Sequence, residues 1–209
     1  MTLINRCRAI ATSTWSDALD RLKLDGVIGG LALRSGSGAM CGRAVTVKES
    51  VGDFYSNAFA PGDFLEAVQS ESVLMIAAAG AAVSTFGGLA ALAAVKRGAS
   101  GVVIDGACRD VAEIRASGLW LASRHATPMS GKGRIRVDAI GVPVELCGAT
   151  VAAGDYIIGD ETGVVCVSAA RIEEALAIAE DLAARDAAFA EELRRGETFR
   201  AIASKLGHV

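Results

Sequence analysis

The sequence predicts an α/β protein organised around a pair of parallel strands, and three observations carry that expectation. The runs Val73-Leu-Met-Ile-Ala77 and Gly101-Val-Val-Ile-Asp105 are short and almost continuously apolar, as strands buried on both faces are. Between them lie a small-residue stretch, the turn Ser84-Thr-Phe-Gly-Gly-Leu89, and a helical run over 89–97 closed by Gly98. Strand, glycine turn, helix, strand is a βαβ unit, whose crossover makes its strands parallel. The composition agrees: 52% apolar but only 5% aromatic, with Ala, Gly and Val abundant, it favours small side chains that let helices lie close on a sheet.

The other elements follow in order. Ser13 or Thr14 can cap a helix over 15–22, with Leu19 and Leu22 on one face, and Gly26, Gly29 and Gly30 end it and open a glycine-rich segment. Residues 44–49 alternate around Val45 and Val47 and read as a half-buried strand. Residues 53–60 read as a short helix, and 61–69 as a short helix or loop opened by Pro61. After the βαβ unit, Gly106 lets the chain turn sharply and 111–116 is helix-like. Strands are expected at 119–123, 134–139 and 143–146, with a loop over 127–133 and Gly141 between the last two. Residues 151–158, 159–163 and 164–167 read as strand, turn and strand of a hairpin. A long amphipathic helix over 169–195 carries Ile172, Leu176, Ile178, Leu182, Phe189 and Leu193, and a short one over 199–206 follows.

A chain of 209 residues without linker, low-complexity stretch or helical repeat is expected to form one domain, with a helical extension over 169–209. A net charge of −3 gives no electrostatic reason to bind nucleic acid. The most apolar run, 73–82, is about ten residues, well short of a membrane span. The beginning of the sequence does not read as a targeting segment. The five cysteines are scattered, with no CxxC and no cysteine–histidine metal spacing, as expected of free thiols in a reducing cytoplasm.

The chemistry concentrates after the second strand, where Arg109 and Asp110 stand side by side and Glu113 follows one helical turn on. The carboxyl end of a buried strand is where open α/β sheets place ligands. Arg holds a carboxylate bidentately and Asp can hold a divalent metal. Gly87 and Gly88 open a helix whose first N–H groups lack partners, a seat for a carboxylate or phosphate. A parallel arrangement brings Arg109 beside that seat, with Asp110 able to bring a metal to the same ligand. The plainer alternative is an Arg-Asp pair acting as helix cap and solvated charge, with Glu113 complementing the dipole. Residues 127–132 with Arg134 and Arg136 form a basic segment, either a cover over an anionic substrate or a solvated loop. His125 reads as structural rather than as a proton shuttle, Asp17 as a surface or capping acid, and Cys108 as core filler. His208 is the only other histidine. The dipeptide Gly-Asp at 62–63 and 154–155 is turn chemistry. No P-loop, GxSxG, HExxH or complete GxGxxG is present, which removes the common hydrolase and nucleotide-binding readings.

The run from Gly87 through Arg109-Asp110 to Glu113 resembles the signature of the RraA-like / 4-hydroxy-4-methyl-2-oxoglutarate aldolase family. Trp15-Ser-Asp-Ala-Leu-Asp, Lys96-Arg-Gly-Ala-Ser-Gly-Val-Val-Ile-Asp-Gly and Gly154-Asp-Tyr-Ile-Ile-Gly-Asp-Glu-Thr-Gly-Val-Val match its framing, so the resemblance spans nearly the whole chain. It implies a three-layer β/β/α sandwich of the swivelling-domain type, in a homotrimer or dimer of trimers with sites at subunit interfaces, where the C-terminal helices pack. It implies a class II pyruvate aldolase, an oxaloacetate decarboxylase, or both, working on a small 2-oxo acid through a metal-stabilised pyruvate enolate. On that analogy Asp110 anchors Mg²⁺ or Mn²⁺, and Arg109 binds substrate oxygens and stabilises the enolate. The amides around Gly87, Gly88, Leu89 and Ala90 then hold the substrate carboxylate, and Glu113 completes the catalytic set. One departure stands out: many aldolase members carry an acid where this chain has Gly88. Asp186, Glu191 or Glu192 of the long helix could supply a carboxylate from a neighbouring subunit. The family also implies a rival, a non-catalytic protein that binds and inhibits a ribonuclease.

Overall fold

A computed structural model describes residues 1–54, 59 and 62–206. In chain order the elements are α1 (Leu3–Arg8), α2 (Thr12–Leu22), β1 (Val27–Ile28), β2 (Ala32–Ser35), β3 (Met40–Val51), α3 (Asp63–Glu66), β4 (Ser72–Ala77) and β5 (Ser84–Phe86). There follow α4 (Gly88–Lys96), β6 (Gly101–Cys108), α5 (Val111–Ser117), β7 (Leu121–Ala126), β8 (Ile135–Ile140), β9 (Val144–Leu146), β10 (Ala149–Val151), β11 (Tyr156–Gly159), β12 (Val164–Val167), α6 (Ile172–Arg194) and α7 (Phe199–Leu206).

The βαβ unit is present: β4 and β6 pair in parallel, Leu74 opposite Val102 and Ile76 opposite Ile104. Every residue of both strands is buried, the condition their unbroken apolar sequence anticipates. They sit inside a sheet of order β1-β12-β11-β3-β4-β6-β7-β2, with β8 added to β3 and β5 to β6. β3 is longer than its alternating segment predicts, because it serves three neighbours in succession. Residues 40–43 pair antiparallel with β11, 43–48 parallel with β4, and 47–51 antiparallel with β8. Gly42 permits this crossing: a Cβ there would lie 2.3 Å from the carbonyl oxygen of Glu71.

Side-chain alternation sorts the central strands into two cores. Val73, Met75 and Val103 face Val144, Leu146, Ala149 and Val151 of the two-stranded β9–β10 sheet, inside the curl of the main sheet. Leu74, Ile76, Val102 and Ile104 face Phe64 of α3, Ala91 and Ala94 of α4, and Ile114 of α5. A third cluster packs Trp15, Leu19, Leu176 and Leu182 of α2 and α6 on Ile158 and Val165 of β11 and β12. The architecture is a mixed α/β fold with a curled sheet in β/β/α layers and C-terminal helices added.

Several local expectations are corrected. Helix α2 starts at Thr12, and neither Ser13 nor Thr14 caps it, since its N-cap is Ala11. Asp160, from the β11–β12 turn, replaces the cap by accepting from Thr12 N at 2.8 Å and Thr12 Oγ1 at 2.7 Å. The helix ends at Lys23 in the left-handed region rather than at a glycine. Gly106 does not turn the chain: β6 continues to Cys108, and the glycine serves close approach, since a Cβ would lie 2.9 Å from that of Ala78. β1, β2, β5 and α1, each of two to six residues, carry no periodicity long enough to announce themselves. The helix expected over 53–60 falls mostly outside the described residues, as does His208. Among the described residues no helix is long and apolar enough to cross a membrane.

Candidate active site at the carboxyl ends of the parallel strands

β5 and β6 run parallel and end together, so the residues that follow them meet. Arg109 N donates to Phe86 O at 2.9 Å, drawing the start of α5 against the start of α4. Asp110 lies in the left-handed region, φ 54° and ψ 41°, which non-glycine residues visit at a cost. Its carboxylate is turned away from its own helix: Oδ2 accepts from Gly88 N at 3.3 Å, at the mouth of α4, and lies 3.3 Å from Arg109 Nε. The cap reading of Asp110 is thus realised, but on the neighbouring helix. The N–H groups of Leu89 and Ala90 in the same first turn have no carbonyl four residues back within the helix.

The two glycines are demanded by contact rather than by φ. A Cβ at Gly87 would lie 2.6 Å from Asp110 Oδ2 and 3.2 Å from Arg109 Cγ. A Cβ at Gly88 would lie 2.0 Å from Glu113 Oε2 and 2.8 Å from Glu113 Cβ. The space over position 88 is therefore filled by the carboxylate of Glu113, reaching across from α5. The family resemblance implies an acid at that position; the structure brings one in from another helix.

Arg109, Asp110, Gly87, Leu89 and Ala90 line one side of a cleft of about 640 Å³. Ile135 and Val137 of β8, Glu49, Thr85, Phe64, Leu65 and residues 130–133 complete its lining. The basic segment over 127–136 is partly absorbed into structure. Met129 O accepts from Ser84 N at 3.1 Å, Arg134 Nη1 donates to Ser130 O, and Arg136 pairs with Asp138 at 2.8 Å. Lys132 is the cation of that segment that lines the cleft. His125 is exposed at the end of β7, Asp17 is exposed on α2, and Cys108 is fully buried, as core filler should be. Glu191 pairs with Arg194 and Arg195, and Glu192 with Arg195 and Lys205, so both are engaged within the C-terminal helical segment.

Glu49 is the residue that sequence reasoning passed over. It is 6% exposed, Thr85 Oγ1 donates to its Oε1 at 2.6 Å, and its Oε2 has no partner among the described residues. Burial pushes its carboxyl up to about 7, against the opposing effect of the Thr85 hydrogen bond and with a small push from the charge of Asp138. The one available signal was an acid on the buried parity of β3, two residues beyond Val47.

Among the described residues no cluster of three or more His, Cys, Asp or Glu could by itself hold a metal ion. Asp110 and Glu113 offer one or two hard carboxylates, the donor set that Mg²⁺ takes when water supplies its other ligands. The chemistry of the residues therefore fits Mg²⁺ or Mn²⁺ better than an ion needing a full protein cage.

Comparison with known proteins gives the family. The family described as RraA-like, Aldolase/RraA, matches residues 12–166. An uncharacterised Methanocaldococcus jannaschii protein is 34% identical over 164 residues, 76% of this chain and 75% of its own. A 4-hydroxy-4-methyl-2-oxoglutarate aldolase of Thermus thermophilus is 36% identical over 81 residues, 38% of this chain and 48% of its own. Among solved structures, an uncharacterised Pseudomonas syringae protein superposes with TM-score 0.86 at 26% identity, covering 96% of both chains. RraAS2 of Streptomyces coelicolor, described as an unusual member of the RNase ES inhibitor RraA family, superposes with TM-score 0.80 over 93% of this chain and 96% of its own. Its 24% identity speaks for the fold alone. The chain belongs to the RraA-like family.

Proposed function

We propose that the protein is a divalent-metal-dependent carbon–carbon lyase on small 2-oxo acids, either cleaving an aldol to pyruvate or decarboxylating oxaloacetate. The observation that supports this most is the convergence of Arg109, Asp110 and the first amides of α4 on one cleft. The Leu89 and Ala90 N–H groups seat the substrate carboxylate at the positive end of α4. Arg109, its Nε beside Asp110, keeps the rest of its guanidinium for the 2-oxo group and neutralises the charge that grows there when the bond breaks. Asp110 and Glu113 would hold Mg²⁺ or Mn²⁺, which when bound supplies Lewis-acid stabilisation of that same oxygen. Lys132, also in the lining, draws a second carboxylate. The aldolase name of the Thermus relative supports the reaction class, and the cations Arg109 and Lys132 in the lining of the cleft support an anionic substrate.

The test is pyruvate release from oxaloacetate and from a 4-hydroxy-2-oxo diacid, with Mg²⁺ and with excess chelator, corrected for metal-only decarboxylation. Chelator-sensitive release from the wild type is the expected result. No release above background with either substrate would turn the assignment toward the ribonuclease-binding reading. Assembly as a homotrimer belongs to the same proposal. Leu89, Leu92 and Val95 form an exposed apolar stripe on α4, 83%, 58% and 40% exposed, beginning at the cleft itself. A subunit interface at the cleft would cover it.

A further inference from the structure

We infer that Glu49 is the proton-transfer residue of this cleft: it takes a proton from the substrate and returns it to the carbon of the enolate. The inference rests on the lyase reading and adds the group that reading lacks. Arg109 is a permanent cation, Asp110 is committed to Gly88 N and Arg109, and neither is suited to carry a proton. Glu49 has the opposite character. It belongs to the lining that the substrate would touch, its Oε2 is buried with no partner among the described residues, and Thr85, also in the lining, holds Oε1 at 2.6 Å. A buried carboxyl oxygen without a partner is normally satisfied, so an orphan at a ligand cleft points to a ligand group that completes it.

The surroundings set its protonation. Apolar packing comes from Val47, Phe64, Ile135 and Val137. Of the charged groups on the elements around it, β8 brings Arg136 and Asp138, which pair with each other. The loop over 130–133 brings Lys132, the end of β6 brings Arg109 and Asp110, and α3 brings Asp63 and Glu66, the latter held by Arg97 at 2.6 Å. Lys48 and Ser50 fall on the opposite parity of β3. Desolvation therefore dominates and holds the carboxyl near neutrality, where a residue can both accept and release a proton.

The steps balance. In aldol cleavage the Glu49 carboxylate removes the proton of the C4 hydroxyl, the C3–C4 bond breaks, and C4 departs as a carbonyl. The bond pair becomes the C2–C3 double bond of the enolate, whose oxygen charge faces Arg109. Neutral Glu49 then gives its proton to C3, forming pyruvate. The reverse half alone exchanges the methyl protons of pyruvate with solvent: Glu49 removes one from C3, equilibrates, and returns a deuteron.

The experiment follows methyl-proton exchange of pyruvate in D₂O by NMR, with Mg²⁺, across pH 5 to 9, beside pyruvate release from oxaloacetate. Wild type is expected to exchange with a rate that rises through neutrality. Glu49→Gln is expected to lose about 10²–10⁴-fold in exchange and the pH limb with it, while oxalate binding persists. Glu49→Asp recovers part of the rate. Thr85→Val, which removes the hydrogen bond that favours the ionised form, is expected to move the limb to higher pH without abolishing it, an effect that a purely structural Glu49 would not produce. Exchange in Glu49→Gln at the wild-type rate with the same pH profile overturns the role of Glu49 alone. Wild type that neither exchanges pyruvate nor releases it overturns the lyase reading, and the role falls with it.

Discussion

Asp110 carries two burdens, a left-handed backbone and a carboxylate that caps a different helix. These can be separated. Asp110→Asn keeps a residue that tolerates the left-handed region and keeps the side-chain shape, but removes the charge. It is expected to retain the wild-type melting temperature within a few degrees and to lose Mg²⁺-dependent pyruvate release, scored by the oxaloacetate assay beside thermal denaturation. Gly88 makes a sharper demand, because Glu113 Cβ would lie only 2.8 Å from an added methyl. The Glu113 carboxylate can swing away, but the Cβ cannot move without its helix. Gly88→Ala is therefore expected to destabilise by about 1–3 kcal/mol, the range for overpacking, and to weaken Mn²⁺ binding measured by paramagnetic relaxation. Glu49 bears on stability as well as on chemistry. Its carboxyl is raised from the ordinary 4.5 to about 7, so between those values the folded state binds more protons than the unfolded one. Stability then falls as pH rises through that window and levels off above it, by up to about 3 kcal/mol. Glu49→Gln, uncharged throughout, is expected to be more stable than wild type at pH 8 and to lose that advantage at pH 5, as denaturant melts at the two pH values would show.

At the scale of elements, α2 shows how a helix can be started from far away in sequence. Its N-cap side chain is an alanine, and Asp160 supplies the acceptor from 148 residues downstream. Burial alone would raise the pKa of Asp160, but hydrogen bonds from Thr12 N, Thr12 Oγ1, Thr162 N and Gly163 N outweigh it and hold the carboxyl below its usual range. That stabilisation is present at neutral pH and is lost only as pH falls through the lowered value, below the ordinary 3.8. Asp160→Ala is expected to cost about 1–2 kcal/mol at pH 7, read from a urea melt, with the difference from wild type shrinking in acid. The pairing of α4 with α5 is the element-scale origin of the site. Neither helix N-terminus alone is a site, but the parallel ends of β5 and β6 set them side by side. Sequence anticipated this arrangement for Arg109, because the strands of a βαβ unit are parallel and the end of the second falls beside the start of the crossover helix.

For the whole molecule, Leu89, Leu92 and Val95 form an exposed apolar stripe that begins at the cleft. If the proposed trimer covers it, Leu92→Glu is expected to shift the species seen by multi-angle light scattering from three chains to one. An unchanged trimer would move the interface elsewhere, and a wild-type monomer would remove the interface from the proposal. The same scale explains Asp105, whose carboxylate joins Arg124 of β7 and accepts from Cys147 N at 3.0 Å, tying the main sheet to the turn between β9 and β10. Read along the chain, that residue is simply the end of an apolar run.

By itself the sequence determined the central parallel strands, the glycine turn before α4, the Arg109-Asp110-Glu113 set and the long C-terminal helix. Each of these is written locally, in runs of buried residues, in glycines at element boundaries or in helical periodicity. The tertiary structure alone decided which helix Asp110 caps, which residue fills the space above Gly88, what starts α2 and which cation reaches the cleft. It also decided that an acid on β3, in a strand that looked half-exposed, ends buried with one oxygen unmatched. These are contacts between residues distant in sequence, fixed by strand register and layer packing, and neither propensity nor periodicity encodes them.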